Sequence, residues 1–167
     1  MSGTPLGVCF GVLFVCTGNI CRSPTAEAVF RKLAGGAGME KRILADSAGT
    51  HGYHIGEPPD ARAVAAAAKR GYDLSGLRAR RVERADFQRF DLIVAMDRDH
   101  HAILSRMAPV PESHKLRLMM SFARRFDERE VPDPYYGGMT EFERVLDMLE
   151  DAAQGLLDFV ARNSALR

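Results

Sequence analysis

An apolar run near the start of the chain constrains its fold more than any other feature. Residues Phe10–Cys16 are apolar apart from Gly11, and polar residues follow at once. A short run without polar alternation indicates a strand buried on both faces of a sheet. No Lys or Arg precedes the run, and it is too short to cross a bilayer, which argues against a signal peptide or a membrane span. We therefore expect a buried first strand and a cytoplasmic protein, with secretion without a signal peptide as the alternative.

Strand-like and helix-like segments alternate along the rest of the chain. Further strands are predicted over residues 42–47, 91–96 and 115–119. Helices are predicted over residues 23–36, 59–70, 97–107 and 142–160. Ser23 is expected to cap the first helix, with Pro24 at its first position. This order predicts an α/β fold, in which one four-stranded parallel sheet carries helices on both faces. Because no repeat or linker divides the 167 residues, we expect a single domain over residues 1–167.

The charge of the chain is balanced overall but uneven along its length. Its 23 basic and 22 acidic residues leave a net charge of +1, which argues against a nucleic-acid partner bound by bulk electrostatics. Residues 62–89 hold eight basic and three acidic side chains, and residues 127–151 hold two basic and nine acidic ones. Two solvated faces are the simpler interpretation. The alternative is that the basic segment attracts anionic substrates.

The three cysteines, Cys9, Cys16 and Cys21, all lie near the start of the chain. An odd number within so short a stretch is not a disulfide framework. Cys9 is interpreted as a structural residue of the first strand. Any chemistry of Cys16 and Cys21 must therefore be local.

The loop after the first strand is a predicted phosphate-binding loop between strand 1 and helix 1. A strand, loop and helix in this order direct backbone N–H groups and the positive end of the helix dipole toward one point, where anions bind. In open α/β sheets, ligands also collect at the carboxyl ends of the strands. The position is thus suited to a phosphate before any side chain is considered.

Two side chains of this loop add a nucleophile and a cation. Cys16 stands at the head of the loop, where N–H groups and the nearby Arg22 favour the thiolate, which is the nucleophilic form. The planar guanidinium of Arg22 can bind two phosphoryl oxygens. Gly18 permits close approach of the backbone to a ligand, and Asn19 tolerates a left-handed conformation. The bare Cys-x5-Arg pattern is a weak signal, so the prediction depends on the strand before the loop and the helix after it.

Residues 16–27 resemble the signature of the low-molecular-weight protein tyrosine phosphatases, and a bacterial member in particular. The resemblance extends through residues 46–50, 56–58, 91–97 and 131–137. It implies a four-stranded parallel sheet flanked by helices. It also implies hydrolysis of phosphotyrosine in proteins, and of small aryl phosphates, through a phosphocysteine intermediate with no metal or cofactor.

The same resemblance implies roles for individual residues. Cys16 is the nucleophile, Arg22 stabilises the transition state, and Asp133 is the general acid and later the base. The residues expected to bind the substrate are Thr17, Gly18, Asn19, Ile20, Cys21, Ser23, Tyr53 and Tyr135. Ser23 is expected to hydrogen-bond the cysteine sulfur, Asn19 to pair with Ser47, and Asp97 to support the site. The aromatic walls Tyr53 and Tyr135 would contact the phosphotyrosine ring.

Cys21 has two interpretations. It is either a small buried apolar residue or a redox partner that protects oxidised Cys16 by forming a disulfide; the family favours the second. Residues 77–81 depart from the family, because Leu77 replaces a histidine and Arg81 a glutamine, which favours acidic substrates. His51, His54, His100, His101 and His114 are assigned to the surface or to supporting positions.

Three other functions fit the same loop, and the sequence argues against each of them. A thioredoxin-coupled arsenate reductase would need cysteines late in the chain, and none follows Cys21. A non-catalytic phosphotyrosine-binding module or an anion-binding regulator would lack the nucleophile or the acid, and both are present. The expected partner is a phosphotyrosine protein, either an autophosphorylating tyrosine kinase or a host protein, with no nucleic acid and no membrane insertion. The protein is expected to be a monomer or a weak dimer.

Overall fold

Four parallel strands form one sheet in the computed structural model, which describes residues 9–164. The strands are β1 (Phe10–Cys16), β2 (Ile43–Gly49), β3 (Leu92–Ala95) and β4 (Leu116–Leu118), in the spatial order β2-β1-β3-β4. β1 therefore lies between two neighbours, and its last residue, Cys16, pairs with Gly49 at the carboxyl edge of the sheet. The predicted α/β class and four-stranded parallel sheet are confirmed.

Within residues 9–164, five α-helices connect and cover the strands. They are α1 (Arg22–Gly36), α2 (Ala61–Lys69), α3 (Asp86–Arg89), α4 (Arg98–Met107) and α5 (Met139–Ser164), and short 3-10 helices span Val110–Lys115 and Met119–Phe122. α3 and the two 3-10 helices were not predicted, because elements this short have no room for a periodic apolar pattern. None of the helices in the described part of the chain is long and apolar enough to cross a membrane.

β1 contributes alternate side chains to two separate cores. Val12, Phe14 and Cys16 belong to a large core that also holds buried residues of α1, α2 and α5. Leu13 and Val15 belong to a smaller core on the other face, together with buried residues of α3 and α4. Because both faces are covered, every residue of β1 is buried, as its unbroken apolar run predicts.

Three local predictions are wrong. Cys9 is exposed and lies just before β1 rather than within it. α1 begins at Arg22, so Pro24 is not its first residue, although the first turn tolerates proline. Ser23 does not cap the helix, because its buried hydroxyl contacts the Cys16 sulfur instead.

The basic and acidic segments of the sequence meet where α2 packs on α5. Arg70 forms ion pairs with Glu143, Asp147 and Glu150, at N–O distances of 2.7–2.9 Å. Arg80 from the same basic segment pairs instead with acidic side chains outside the acidic segment. Two solvated faces are therefore an incomplete description, because part of the opposite charge is neutralised between helices.

Candidate active site

The loop between β1 and α1 lies at the carboxyl edge of the sheet, and its neighbours fix its backbone. The carbonyl oxygens of Cys16 and Thr17 accept hydrogen bonds from backbone N–H groups just after β2, at 2.8 and 3.0 Å. The carbonyl of Ile20 accepts one from Asp60, just before α2, at 2.8 Å. Since the C=O and N–H of one peptide unit point in opposite directions, these bonds direct the N–H groups of Thr17, Gly18 and Cys21 to the other side of the loop, as in loops that bind anions.

Asn19 determines the curvature of this loop. Its φ is +60°, the left-handed conformation expected from the sequence. The buried side chain donates from Nδ2 to Ser23 Oγ at 2.8 Å and to Ser47 Oγ at 3.0 Å. Its Oδ1 accepts from the backbone N–H of Arg80 at 3.0 Å. The predicted pairing of Asn19 with Ser47 is present, and all these bonds keep the turn in one conformation.

Ser23 presents a hydroxyl proton to the sulfur of Cys16. The two side chains are 3.0 Å apart from Oγ to Sγ, and both are buried. Because Ser23 Oγ already accepts from Asn19, its own proton is directed elsewhere, and the nearer acceptor is the sulfur, since the Ala48 carbonyl lies at 3.4 Å. A hydrogen bond to a negatively charged sulfur stabilises the thiolate.

Glu27 extends this polar network into α1 and was not identified from the sequence. Ser47 Oγ donates to Glu27 Oε1 at 2.7 Å, and Arg31 pairs with the other carboxylate oxygen at 2.7 Å. Burial raises the pKa of Glu27, against the lowering effects of the Ser47 hydrogen bond and the Arg31 charge. A glutamate on the buried face of a predicted helix was the available signal, because such a carboxylate requires partners.

Arg22 is buried beside Cys16, and acceptors on three segments orient its guanidinium. Nη1 donates to Asp97 Oδ2 at 2.8 Å and to the carbonyl of Val131 at 3.0 Å. Nη2 lies 3.5 Å from Thr17 Oγ1 and 3.7 Å from Asp133 Oδ2. Asp97 therefore has the supporting position expected for it. The arrangement places a preoriented cation beside the nucleophile.

His100 completes this arrangement, and the sequence interpretation undervalued it. The residue is buried, its Nε2 lies 2.8 Å from Thr17 Oγ1, and its Nδ1 lies 3.1 Å from Asp97 Oδ1. Burial and the Arg22 charge lower the pKa of His100. Neutral His100 shares one hydrogen bond between Nε2 and the Thr17 hydroxyl, and the ring nitrogen that carries the proton decides which of the two groups donates. Its position three residues after Asp97, at the start of a helix, was the available signal.

Asp97 has a double function at the start of α4. Its Oδ1 accepts from the backbone N–H of His100 at 3.0 Å, which caps the helix. Burial opposes its ionisation, but that N–H and the Arg22 guanidinium together hold the pKa of Asp97 below its ordinary value. The carboxylate therefore stays charged and keeps Arg22 in place.

A cavity of about 240 Å³, called the cleft below, opens directly above the loop. Its lining residues are Cys16, Thr17, Gly18, Ile20, Cys21, Arg22, Tyr53, His54, Asp133, Tyr135 and Tyr136. The structure thus brings the predicted nucleophile, cation, acid and aromatic walls to one cavity. Asn19 and Ser47 lie beneath the loop. His54 and Tyr136 were not predicted to line it.

His54 explains why residue 18 is glycine. A Cβ added at Gly18 would lie 2.8 Å from Cδ2 of the His54 ring, closer than van der Waals contact allows. The ring itself is hydrogen-bonded to Glu57 at 3.1 Å. The group that approaches Gly18 in this structure is a histidine side chain, and the close approach of a ligand to the Gly18 backbone stays a prediction.

Asp133 lies on the loop before α5, at the opening of the cleft. Its side chain is 46% exposed, and its Oδ1 accepts from the backbone N–H of Tyr135 at 3.1 Å. Exposure gives the carboxyl access to solvent and to a bound ligand. Within residues 9–164, no group of three or more His, Cys, Asp or Glu side chains is arranged to hold a metal ion.

Cys21 is buried and lines the same cleft as Cys16. Burial raises the pKa of the Cys21 thiol, and the negative charges of Asp60, Cys16 and Asp133 raise it further. The thiol form therefore dominates at neutral pH, so Cys21 does not compete with Cys16 as a nucleophile. Its burial fits the interpretation as a small apolar residue, and its redox role stays a prediction.

Known proteins resemble this chain over nearly its whole length. The family model described as low molecular weight phosphotyrosine protein phosphatase matches residues 11–166. A low molecular weight protein-tyrosine-phosphatase of Streptomyces coelicolor is 48% identical over 151 residues, which cover 89% of this chain and 92% of the relative. The crystal structure of the Bacillus subtilis relative YfkJ superposes with a TM-score of 0.87 at 39% identity, covering 94% of this chain and 98% of that one. A protein tyrosine phosphatase of Entamoeba histolytica, solved with Hepes in its active site, gives a TM-score of 0.90 at 41% identity, with coverages of 92% and 98%.

Proposed function

This chain belongs to the low molecular weight phosphotyrosine protein phosphatases, hydrolases that act through a phosphocysteine, and we propose that Cys16, Arg22 and Asp133 carry out that reaction here. The observation that supports these roles is the convergence of the three side chains on one cleft. The proposal extends to a single phosphatase domain over residues 1–167.

In the first step, the Cys16 thiolate attacks the phosphorus of phosphotyrosine. An S–P bond forms while the P–O bond to the phenol breaks, and Asp133 donates its proton to the departing oxygen. Arg22 binds two of the phosphoryl oxygens, and the N–H groups of residues 17–22 bind the charge that spreads over them in the transition state. The preorientation of Arg22 by Asp97 means that little reorganisation is needed during the reaction.

In the second step, water attacks the phosphocysteine. Asp133, now a carboxylate, takes a proton from this water, a new P–O bond forms, and the S–P bond breaks. Cys16 leaves as a thiolate, and the proton that Ser23 directs at its sulfur stabilises that leaving group. The products are inorganic phosphate and the enzyme in its initial protonation state.

The substrate is a phosphotyrosine protein, and the walls of the cleft support aromatic selectivity. Tyr53 is 69% exposed and Tyr135 38% exposed, so both present ring surface to a ligand. A phosphotyrosine ring can contact these side chains while its phosphate reaches the loop, whereas the shorter phosphoserine cannot span the same depth. His51 stacks on Tyr53 with a centroid distance of 5.0 Å, which stabilises that wall.

Cys21 is proposed to protect the nucleophile from irreversible oxidation. Peroxide converts the Cys16 thiolate to a sulfenic acid, which condenses with the Cys21 thiol to a disulfide and releases water. A thiol reductant then restores both cysteines. The observation that supports this role is that both cysteines line one cleft.

For the cellular setting, we propose an autophosphorylating tyrosine kinase as substrate and the cytoplasm as compartment, with the enzyme a monomer or weak dimer. The apolar run Phe10–Cys16 forms the buried strand that carries Cys16. A Cys16→Ser variant should retain a phosphorylated kinase domain and release it when vanadate is added. Equal retention of the unphosphorylated domain would contradict this assignment.

The assigned roles are tested with aryl phosphates whose leaving groups differ in basicity. Cys16→Ser should abolish turnover of p-nitrophenyl phosphate, with and without a metal chelator. Asp133→Ala should lower kcat/KM for phenyl phosphate by about 10²-fold or more, because a basic leaving group needs the proton, and much less for p-nitrophenyl phosphate. Substantial turnover by Cys16→Ser, or equal losses for both substrates in Asp133→Ala, would refute these assignments.

A further inference from the structure

Arg62 connects the start of α2 to the loop that carries Asp133. Its Nη2 donates to the carbonyl of Tyr135 at 2.9 Å, and its Nη1 donates to the carbonyl of Gly137 at 3.0 Å. The guanidinium also lies over the Phe142 ring, 4.7 Å from its centroid, and over the Tyr135 ring at 5.6 Å. One side chain therefore contacts the Asp133 loop through two hydrogen bonds and the Tyr135 ring, and contacts the start of α5 through the Phe142 ring.

Asp60 orients Arg62 and also contacts the phosphate-binding loop. Its carboxylate accepts from Arg62 Nε at 3.0 Å and from Nη2 at 2.9 Å, a bidentate geometry that fixes the plane of the guanidinium. Hydrogen bonds from Arg62 hold the pKa of Asp60 below its ordinary value, so the pair stays ionised at neutral pH. The backbone N–H of Asp60 donates to the Ile20 carbonyl at 2.8 Å. A continuous chain of contacts thus joins the loop of Cys16 to the loop of Asp133.

The backbone of the Asp133 loop is bound by an arginine on each side of Asp133. On the N-terminal side, the carbonyl of Val131 accepts from Arg22, and its N–H donates to the Met96 carbonyl at 2.9 Å. On the C-terminal side, Arg62 binds the loop two and four residues after Asp133. Within residues 9–164, the exposed carboxyl of Asp133 accepts one hydrogen bond, from the N–H of Tyr135, and its other polar contact is Arg22 Nη2 at 3.7 Å. Its distance from the nucleophile therefore depends on how its backbone is anchored on both sides.

We propose that Arg62, oriented by Asp60, is a positioning residue for the general acid, which sets the distance between the Asp133 carboxyl and the phosphate-binding loop. This inference rests on the proposed role of Asp133. Arg62 touches neither the phosphate nor the reacting atoms in this scheme. Its planar fork makes four hydrogen bonds to one carboxylate and two carbonyls, whereas the ammonium of lysine has three N–H donors on one nitrogen.

The consequence is specific to proton donation. Displacement of a catalytic group by about 1 Å can lower a rate by as much as about 10²-fold. A displaced Asp133 affects the step in which a basic phenol leaves, and it leaves the binding of phosphate by Arg22 and the loop unchanged. Loss of Arg62 should therefore change the ratio of kcat/KM for p-nitrophenyl phosphate to that for phenyl phosphate, because kcat/KM reports the formation of the phosphocysteine.

The experiment compares Arg62→Lys and Arg62→Met with Asp133→Ala and a matched control. Arg70→Ala is the control, because Arg70 also joins the α2 region to α5 through ion pairs but has no contact with the Asp133 loop. Arg62→Lys keeps the positive charge, so it separates positioning from a general electrostatic effect on the anionic substrate. Thermal unfolding of each variant checks the fold, and inhibition by inorganic phosphate reports the binding loop.

We expect both Arg62 variants to raise the ratio by about 10-fold, with inhibition by phosphate changed less than about twofold, and Arg70→Ala to match the wild type. If Asp133→Ala raises the ratio but neither Arg62 variant does, the role of Arg62 is refuted while that of Asp133 stands. If Asp133→Ala leaves the ratio unchanged, the assigned acid is wrong and this inference fails with it. An effect confined to Arg62→Met would identify charge, rather than positioning, as the cause. If Arg62→Met does not fold, Arg62→Lys decides the outcome.

Discussion

Replacement of Asn19 tests whether one buried side chain determines the shape of the phosphate-binding loop. Its amide makes three hydrogen bonds, to Ser23, Ser47 and the backbone of Arg80, and its φ is +60°. Alanine removes all three bonds and adds left-handed strain. Glycine removes the same bonds without that strain. The two variants together therefore separate the hydrogen bonds from the backbone conformation.

The magnitudes follow from these contacts. Three buried hydrogen bonds at a net ~1 kcal/mol each correspond to a loss of about 3 kcal/mol of unfolding free energy for Asn19→Gly. The left-handed conformation costs alanine about 1–2 kcal/mol, whereas glycine loses roughly 0.5–1 kcal/mol more backbone entropy on folding. We therefore expect Asn19→Ala to be the less stable of the two by about 0.5–1 kcal/mol.

Urea unfolding at neutral pH measures both losses, and Asn163→Ala is a matched control. Asn163 lies in α5 and makes one hydrogen bond, from Nδ2 to the Phe159 carbonyl at 2.7 Å, so its loss should cost less than about 1 kcal/mol. Turnover of p-nitrophenyl phosphate should also fall in both Asn19 variants, because the Ser23 proton is no longer directed at Cys16. A cost for Asn19→Ala no larger than that of the control, or a greater loss for Asn19→Gly than for Asn19→Ala, would refute the reasoning.

Three further predictions concern other parts of the molecule. Gly18→Ala should raise KM for aryl phosphates several-fold, because the added methyl group displaces the His54 ring. The second substitution His54→Ala in the same chain should return KM to the wild-type value, and a KM that stays high would show that the His54 contact is not the cause. Asp151→Asn should cost about 2 kcal/mol at neutral pH, because the buried carboxylate accepts from three consecutive backbone N–H groups. Burial opposes ionisation of Asp151, but these N–H groups lower its pKa. Its contribution to the free energy of unfolding is therefore complete above the ordinary pKa of aspartate and is lost as pH falls through the lower native value. Urea unfolding measured against pH should show the difference between variant and wild type closing in acid. Cys21→Ser should make peroxide inactivation of Cys16 irreversible by thiols, and equal recovery of the variant and the wild type would exclude the disulfide.

The regular elements around the site were predictable because their signals are local. β1 is apolar at nearly every position since both of its faces are covered, and Asn19 is one of the few residues that accept a left-handed turn. Elements of three or four residues, such as α3, carry no such pattern. Ser23 was placed at the helix cap by the same local rules, which count neighbours in sequence and not the sulfur that approaches from the end of the strand.

The sequence by itself determined the class of fold and the phosphate-binding loop, because periodicity and spacing are properties of neighbours along the chain, and its family resemblance implied the residues proposed for the chemistry. Only the tertiary structure decided how His100, Glu27 and Arg62 take part. Each contacts the site or its loops across a long separation in sequence, as with Arg62 and Gly137 or His100 and Thr17. Such contacts exist only when distant segments meet at one edge of the sheet. Burial and pairing of a side chain depend on these distant neighbours, which local sequence patterns do not identify.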